Sequence, residues 1–188
     1  EFLQDVPAHV LVVLDEAYIE YAEGSDLPDG LDYLAAYPNL LVSRTFSKAY
    51  GLAALRVGYG LSTAVVADVL NRVRQPFNVN SLALAAACAA LQDTDYLAES
   101  RRLNESGMLQ LEAGFRELGL SWIPSKGNFI CVDLGRVAAP VFQGLLREGV
   151  IVRPVANYGM PNHLRITIGL PAENSRFLEA LTKVLARG

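Results

Sequence analysis

A run of five aliphatic residues near the start of the chain, Val10 to Leu14, constrains the fold most strongly. A continuous run of this kind, without polar alternation, is typical of a strand that is covered on both faces, as in parallel sheets. Such a strand needs neighbours in its sheet, and the candidates that follow it closely are few, namely residues 40–42 and 57–61. We therefore expect the chain to be the later part of a longer protein.

Apolar periodicity and chain-breaking residues predict strands and helices along the rest of the chain. In the first half we expect a loop at 18–30, a short helix near 31–36, strands near 40–44 and 56–61, and helices at 63–73 and 81–92. A long helix then begins at Asp93 or Thr94 and ends before Gly119, and Asn80 or Ser81 caps the helix before it. The second half adds strands at 128–133, 150–153 and 164–168 and helices at 138–147 and 172–186.

This order of elements predicts an α/β fold in two parts. Residues 1–92 are expected to form the later portion of a large domain, with helices around a mostly parallel sheet. Residues 93–188, which include the long connecting helix, are expected to form a small α+β domain. Because 52% of the 188 residues are apolar and 19% are charged, the chain can bury a core without disulfides or a structural metal.

Composition and charge also exclude several kinds of partner. The net charge is −4 and no basic run is present, so we expect no binding to nucleic acid. The alanine-rich stretch 83–90 is too short to span a bilayer, so we expect no membrane insertion. His9 and His163 have no Cys or His at ligand spacing, which argues against a metal site. Cys88 and Cys131 lie in apolar stretches, which predicts buried, reduced thiols in a cytoplasmic protein.

Candidate chemical groups are concentrated in the first third of the chain. Asp15 directly follows the apolar strand, at the end of the strand where α/β sheets bind ligands, although an acid that merely caps the next turn would look the same. Lys48 lies in an apolar stretch with no neighbouring acid, and a desolvated amine of this kind is what Schiff-base chemistry requires. Thr45, Ser47 and Arg56 supply hydroxyl groups and a guanidinium suited to a phosphate.

Three segments of this region, read together, resemble a known family: Asp15-Glu16-Ala17-Tyr18, residues 45–52 and residues 55–59. They are similar to the class I/II aminotransferases that use pyridoxal 5′-phosphate and have fold type I, and most similar to the branch that acts on histidinol phosphate. The similarity continues through residues 127–129, 152–154 and 164–166, and so covers nearly the whole chain. Ala54 and Thr45 stand where Gly and Ser are more common in the family, and neither change removes a functional group.

The resemblance implies roles for the residues around the cofactor ring. Lys48 would condense with the cofactor aldehyde and later move a proton between the substrate and the cofactor. Asp15 would hold a proton on the pyridine nitrogen, so that the ring withdraws electrons. Tyr18 would donate to the phenolic oxygen, and Ala17 would pack against the ring face. By the same resemblance, the phosphate would be bound by three further residues: Thr45, Ser47 and Arg56.

Two arginines in the second half of the chain are candidates for binding the substrate. Strand alternation places Arg165 with Thr167 on one face and Leu164 with Ile166 on the other, so Arg165 projects away from the core. A surface arginine at the rim of a sheet would show the same pattern. The resemblance implies that Arg165 anchors the substrate with Arg153 beside it, and two guanidiniums suit a phosphomonoester.

The activity implied by the resemblance is transfer of an amino group between a phosphorylated amino alcohol or amino acid and the glutamate/2-oxoglutarate pair, as in histidine biosynthesis. The family forms homodimers with sites at the subunit interface. Two alternatives remain open: a related decarboxylase that acts on a phosphorylated amino acid, and a non-catalytic aminotransferase-like regulatory domain. Because other cofactor ligands of the family precede the Asp-x-Ala-Tyr motif, we expect residues 1–188 alone to bind the cofactor weakly and to have little or no activity.

Overall fold

The structure is a computed structural model that describes residues 1–22, 24 and 26–187. The chain divides into two compact units, Glu1–Ala98 and Glu99–Gly188. Each unit is built around its own sheet, and the long helix α5 (Thr94–Glu117) begins in the first unit and continues in the second.

The first unit contains a three-stranded sheet with the order β1-β2-β3. Its strands are β1 (Val12–Asp15), β2 (Leu40–Thr45) and β3 (Gly58–Ser62). Four α-helices accompany them: α1 (Phe2–Asp5), α2 (Ile19–Ala22), α3 (Ala64–Val73) and α4 (Ser81–Ala90). Two short 3₁₀ turns, Gly30–Tyr33 and Ala53–Leu55, complete the connections.

The sheet of the first unit is mixed, whereas the sequence predicted a mostly parallel one. Strand β1 pairs in parallel with β2, but β2 pairs antiparallel with β3. The connection between β2 and β3, residues 46–57, contains only a short 3₁₀ turn. A parallel pairing needs a longer crossover, usually through a helix, so this connection returns the chain in the opposite direction.

The prediction that β1 is covered on both faces is wrong for the described structure. Its neighbour β2 is buried at Leu40 and Val42, which are 0% exposed. In β1 itself Val13 is 55% exposed and Leu14 is 37% exposed. Within the described residues β1 pairs with β2, and its aliphatic side chains are left largely in solvent.

Helix caps fall where the polar residues predicted them. The Asn80 side-chain oxygen accepts a hydrogen bond from the backbone N–H of Ala83 at 2.8 Å, and Asp93 accepts one from Tyr96 at 3.0 Å. These bonds satisfy backbone donors that the first turn of a helix leaves unpaired. Gly119 has a φ of +67° and follows the end of α5, as expected of a residue that ends a helix.

The second unit contains a four-stranded antiparallel sheet with the order β4-β5-β7-β6. Its strands are β4 (Ser121–Ile123), β5 (Phe129–Asp133), β6 (Arg153–Pro154) and β7 (His163–Thr167). The helices α6 (Ala138–Arg147) and α7 (Pro171–Leu185) pack on it, together with the later part of α5. The sequence did not predict β4, and the strand expected at 150–153 is present only as the short β6.

One core cluster holds the second unit together. Its fully buried members come from all three helices and from the sheet: Leu111, Phe115, Ile130, Val132, Leu145, Leu164 and Leu181. The ring of Phe115 lies 6.1 Å from that of Phe177 in an edge-on arrangement. Because Leu164 and Ile166 belong to this cluster, the helices cover the face of β7 opposite to Arg165.

The prediction that both cysteines are buried holds for Cys131 and is wrong for Cys88. Both are free thiols, Cys131 buried and Cys88 exposed. Helix α4 buries Ala83 and Ala87, one turn apart, and Cys88 lies on the next position around the helix. Because nearly every residue of α4 is apolar, the sequence does not distinguish its buried face. Burial raises the pKa of the Cys131 thiol, and the positive charge of Arg165 offsets only part of this effect.

Two adjacent leucines of α6 provide a matched test of the core. Leu145 is 0% exposed and Leu146 is 38% exposed. We expect Leu145→Ala to lower the free energy of unfolding of the second unit by about 2–5 kcal/mol, because it removes buried methyl groups and leaves a cavity. Leu146→Ala should cost less than about 1 kcal/mol. Urea unfolding followed by circular dichroism measures both, and equal losses would contradict the assigned orientation of α6.

Candidate active site

The carboxylate of Asp15 lies at the carboxyl end of β1 and is oriented by two donors. Asp15 pairs in register with Ser43 of β2. The Ser43 hydroxyl donates to Asp15 Oδ1 at 3.4 Å, and the backbone N–H of Ala17 donates to the same oxygen at 3.2 Å. The side chain is exposed, so one oxygen is held by the protein while the carboxylate stays accessible to a ligand.

Lys48 and Tyr18 meet at this edge of the sheet. The Nζ atom of Lys48 lies over the Tyr18 ring, 5.3 Å from its centroid, in a cation–π contact. Tyr18 follows Asp15 by three residues, and Lys48 follows the end of β2 by three residues. The structure therefore brings the predicted amine, phenol and carboxylate to neighbouring loops at one edge of one sheet.

A tight loop after β2 holds Lys48 in place. The loop is closed by backbone hydrogen bonds from Leu52 N–H to the Phe46 carbonyl and from Gly51 N–H to the Lys48 carbonyl, both 2.9 Å. Phe46 is 4% exposed, and its ring contacts those of Tyr50 and Tyr59 at centroid distances of 5.0 and 5.6 Å. These contacts fix the backbone on both sides of the half-buried Lys48.

The predicted phosphate ligands lie at the end of β2 and in the loop that connects β2 to β3. Ser47 N–H donates to Thr45 Oγ1 at 3.1 Å, which fixes the Thr45 hydroxyl at the start of the loop. Arg56 has a φ of 55°, in the left-handed region that a residue with a side chain rarely adopts. Its Nη1 donates to the Ala53 carbonyl at 2.8 Å, so the guanidinium is folded back over the loop and remains exposed.

Gly58 allows the start of β3 to lie close to Thr45. Gly58 pairs in register with Thr45, and a Cβ at Gly58 would lie 2.7 Å from the Arg44 carbonyl oxygen. Only a glycine permits this close approach of the two backbones. The start of β3 therefore lies directly against the end of β2, and Arg56, two residues earlier, is brought to the same end of the sheet as Thr45.

A buried ion pair beside the site was not predicted from the sequence, which gave Glu16 and Arg44 no role. Both Nε and Nη2 of Arg44 donate to Glu16 Oε2, at 2.9 and 2.8 Å. Arg44 Nη2 also donates to Asp29 at 2.6 Å, and Gly30 N–H donates to Glu16 Oε1 at 2.7 Å. The available signal was the alternation of strand residues, which places Glu16 and Arg44 together on the face opposite to Asp15 and Thr45.

The pKa values of this cluster follow from these contacts. Burial lowers the pKa of the Arg44 guanidinium, but its hydrogen bonds and charge interactions with Glu16 and Asp29 outweigh this effect and raise the pKa. Burial alone would raise the pKa of the Asp29 carboxyl. Hydrogen bonds from the backbone N–H of Leu31 and from the Arg44 guanidinium, together with the Arg44 charge, lower that pKa overall. Arg44 therefore stays charged while Asp29 stays ionised at neutral pH.

Arg153 and Arg165 lie side by side in the second unit. They are register partners in the antiparallel pair of β6 and β7, and so they share one face of the sheet. The Arg165 guanidinium lies 4.9 Å from the centroid of the Phe129 ring. Arg153 Nη2 approaches the Tyr158 hydroxyl at 3.5 Å. The pattern predicted from the sequence, with Leu164 and Ile166 buried and Arg165 on the other face, is the one observed.

The described residues offer neither a metal cluster nor a membrane-spanning helix. Among them, no group of three or more His, Cys, Asp or Glu side chains is placed to hold a metal ion. In the same part of the chain, no helix combines the length and apolar character needed to cross a bilayer.

The sequence matches the family model described as aminotransferase class I and II over residues 1–181. The chain belongs to the class I and II aminotransferase family.

Individual members of the family show the same similarity. The chain is 93% identical over 188 residues to histidinol-phosphate aminotransferase 2 of Pseudomonas fluorescens (strain Pf0-1), covering 100% of this chain and 51% of the relative. The crystal structure of histidinol-phosphate aminotransferase from Sinorhizobium meliloti in complex with pyridoxal-5′-phosphate matches with a TM-score of 0.89 and 36% identity, covering 99% of this chain and 52% of that one. The crystal structure of L-threonine-O-3-phosphate decarboxylase from Porphyromonas gingivalis matches with a TM-score of 0.83 and 26% identity, covering 98% of this chain and 57% of that one. The chain thus spans about half the length of the relatives it matches.

Replacing the arginine of the buried ion pair tests how much this pair contributes to the stability of the first unit, which carries the site. Arg44→Leu should lower the free energy of unfolding of the first unit by about 3–5 kcal/mol, because it leaves the buried Glu16 carboxylate without a partner. Arg72→Leu is the matched control. Arg72 pairs with Asp68 on the exposed surface of α3, where such a pair contributes less than about 1 kcal/mol. Chemical denaturation measures both, and similar losses in the two variants would argue against the buried pair.

Proposed function

We propose that this chain supplies the reactive lysine, the ring-binding aspartate and the phosphate ligands of a pyridoxal-phosphate-dependent histidinol-phosphate:2-oxoglutarate aminotransferase. The observation that carries the proposal is the position of Lys48 Nζ, 5.3 Å from the Tyr18 ring centroid, at the sheet edge where Asp15 ends β1. Membership of the aminotransferase family and 93% identity to a histidinol-phosphate aminotransferase support the same substrate class.

The residues at this edge fit the functional groups of pyridoxal phosphate. An amine is available for its aldehyde, a carboxylate for its pyridine nitrogen and a phenol for its phenolic oxygen, from Lys48, Asp15 and Tyr18. Two hydroxyl-bearing side chains, Thr45 and Ser47, and the guanidinium of Arg56 suit its phosphate. When bound, the cofactor supplies an electron-withdrawing ring that stabilises negative charge on the substrate carbon.

Asp15 and Lys48 divide the proton chemistry between them. The Asp15 carboxylate holds a proton at the pyridine nitrogen, and its hydrogen bonds from Ser43 and Ala17 keep it from turning away. Lys48 would hold the cofactor at its aldehyde carbon, and its free amine would move a proton to and from the substrate carbon. Its Nζ atom lies 5.3 Å from the centroid of the Tyr18 ring, and this contact holds the side chain at the site.

The neighbouring side chains bind and orient the cofactor. The Tyr18 hydroxyl would donate to the phenolic oxygen, and Ala17 would pack against the ring face. Thr45, Ser47 and Arg56 bind the phosphate, and the hydrogen bond from Arg56 to the Ala53 carbonyl holds the guanidinium while its other N–H groups bind phosphate oxygens.

Arg153 and Arg165 anchor the phosphate of the substrate. Like charges placed directly opposite each other in a sheet repel. An anion between two such guanidiniums relieves the repulsion and accepts hydrogen bonds from both. A phosphomonoester, with two negative charges, suits this pair better than a single carboxylate does.

The protein is further proposed to act as a homodimer. Helix α3 carries apolar residues at helical spacing, and three of them are exposed in the chain as described, Val65 by 75%, Val69 by 51% and Val73 by 74%. Phe77, which follows this helix, is 99% exposed. Contiguous exposed apolar surface of this kind is typical of an interaction site, and a second subunit would bury it.

Domain organisation and location complete the proposal. Residues 1–92 are assigned to the later portion of the cofactor-binding large domain and residues 93–188 to the small domain, and a division of the chain within α5 supports this assignment. The free thiols of Cys88 and Cys131 support a reducing, cytoplasmic location.

Covalent labelling tests the assignment of the reactive lysine. The chain contains three lysines, Lys48, Lys126 and Lys183. We expect incubation of the 188-residue chain with pyridoxal phosphate and borohydride, followed by peptide mapping, to place most of the label on Lys48. Lys48→Ala should abolish that label, whereas Lys126→Ala should leave it unchanged. Label distributed evenly over the lysines would reject the site.

An assay separates transamination from decarboxylation in a protein that joins this chain to the amino-terminal half of the Pseudomonas fluorescens relative. With histidinol phosphate and 2-oxoglutarate we expect glutamate to form without release of carbon dioxide. Asp15→Asn should lower kcat by about 10²–10³-fold, because it removes a charge that stabilises the transition state. Asp95→Asn, an exposed change on α5, is the control. Carbon dioxide release from a phosphorylated amino acid, without glutamate formation, would instead support a decarboxylase.

A further inference from the structure

A groove in the second unit, separate from the residues assigned above, combines an apolar floor with a basic rim. Val141 and Val184 form the floor, Arg136, Arg147 and Arg187 form the rim, and the exposed Val137 also lines the groove. We refer to it as the α6–α7 groove. This open groove has a volume of about 440 Å³, within the range of about 300–1,000 Å³ found for small-molecule sites.

The floor of the groove exists because the two helices approach each other closely. A Cβ at Gly144 of α6 would lie 2.5 Å from Val184 Cγ1 of α7, so the absence of a side chain permits the contact. Val141 is 5% exposed and Val184 is 9% exposed, and both belong to the core cluster. The floor is therefore part of the packed core and keeps its shape without a ligand.

The rim carries a concentration of positive charge in a chain whose net charge is −4. Of the described residues that line the groove, none is acidic. Arg187 Nη1 donates to Glu148 Oε1 at 2.8 Å and Arg136 Nη2 donates to the Leu185 carbonyl at 3.4 Å, so these two guanidiniums are held at the rim. Arg147 forms no ion pair with any residue that the structure describes.

Helix electrostatics favour positive charge at the rim. Basic residues are favourable at the carboxyl ends of helices, which explains Arg147 at the end of α6 and Arg187 just after α7. Arg136 precedes the amino end of α6, where the helix dipole disfavours a positive charge. Its guanidinium, however, donates to the Leu185 carbonyl at the carboxyl end of α7, so the dipole of α7 favours its charge there. Arg147 is the rim arginine that an anionic ligand would pair.

We propose that the α6–α7 groove binds a phosphomonoester that carries an apolar or ring-shaped body. The basic rim suits a phosphate dianion, and the valine floor suits the body. The groove lies in the helical layer, whereas Arg153 and Arg165 project from the opposite face of the sheet. It is therefore a second anion site, and its existence does not depend on the proposed reaction.

The test uses the 188-residue chain and phenyl phosphate as the probe, at 150 mM salt, with binding followed by NMR shifts of the Gly144 amide and the Val184 methyl groups. We expect saturable shifts at these groups and weaker binding of inorganic phosphate, which lacks the ring. Arg136→Gln combined with Arg147→Gln should weaken binding by about tenfold or more, since a charged hydrogen bond contributes at least about 1.5 kcal/mol.

Two further variants distinguish binding in the groove from binding to surface charge or to the substrate anchor. Arg102→Gln removes one exposed charge from the same unit and should change the affinity less than twofold. Arg165→Gln disables the proposed substrate anchor and should leave the shifts at Gly144 and Val184 intact. The proposal is overturned if no saturable shifts appear, if Arg102→Gln weakens binding as much as the double variant, if binding is lost in Arg165→Gln, or if inorganic phosphate binds as tightly as phenyl phosphate.

Discussion

The buried ion pair between Glu16 and Arg44 is the interaction on which the candidate site depends. Glu16 directly follows Asp15, and Arg44 directly precedes Thr45. Because side chains alternate along a strand, fixing Glu16 and Arg44 on one face fixes Asp15, Ser43 and Thr45 on the other. The two-donor contact of Arg44 with one carboxylate, at 2.8 and 2.9 Å, therefore sets the register of the neighbouring residues that face the proposed cofactor.

The loop after β2 holds Lys48 in a fixed position relative to these strand residues. The backbone of Phe46 accepts a hydrogen bond from Leu52 N–H and donates one to the Val57 carbonyl, so the loop is closed at its base. Arg56 adopts a left-handed conformation that costs about 1–2 kcal/mol for a residue with a side chain. The packing of Phe46 and the close approach at Gly58 supply the stability that holds this conformation. Strain of this kind is common where a site needs a defined geometry.

Sequence reasoning succeeded where the signal is local. The caps at Asn80 and Asp93, the helix at 138–147 and the alternation around Arg165 depend on residues within a few positions of each other, and each is observed. It failed where the decisive partner is distant in the sequence. The partners Glu16 and Arg44 lie 28 residues apart, and the exposure of Cys88 depends on which face of a uniformly apolar helix is packed. The three-residue strand β4 is too short to show a periodicity.

The second unit shows why a sheet of this size can carry two adjacent arginines. One face of β7 contributes Leu164 and Ile166 to a core of fully buried side chains, so the helices on that face provide most of the stability. The other face, where the buried Cys131 is the register partner of Arg165, holds Arg153 and Arg165 side by side despite their repulsion. The Phe129 ring, 4.9 Å from the Arg165 guanidinium, offsets part of that repulsion by a cation–π contact. An anion between the two guanidiniums would relieve the remaining repulsion, which suits the pair to its proposed role in binding.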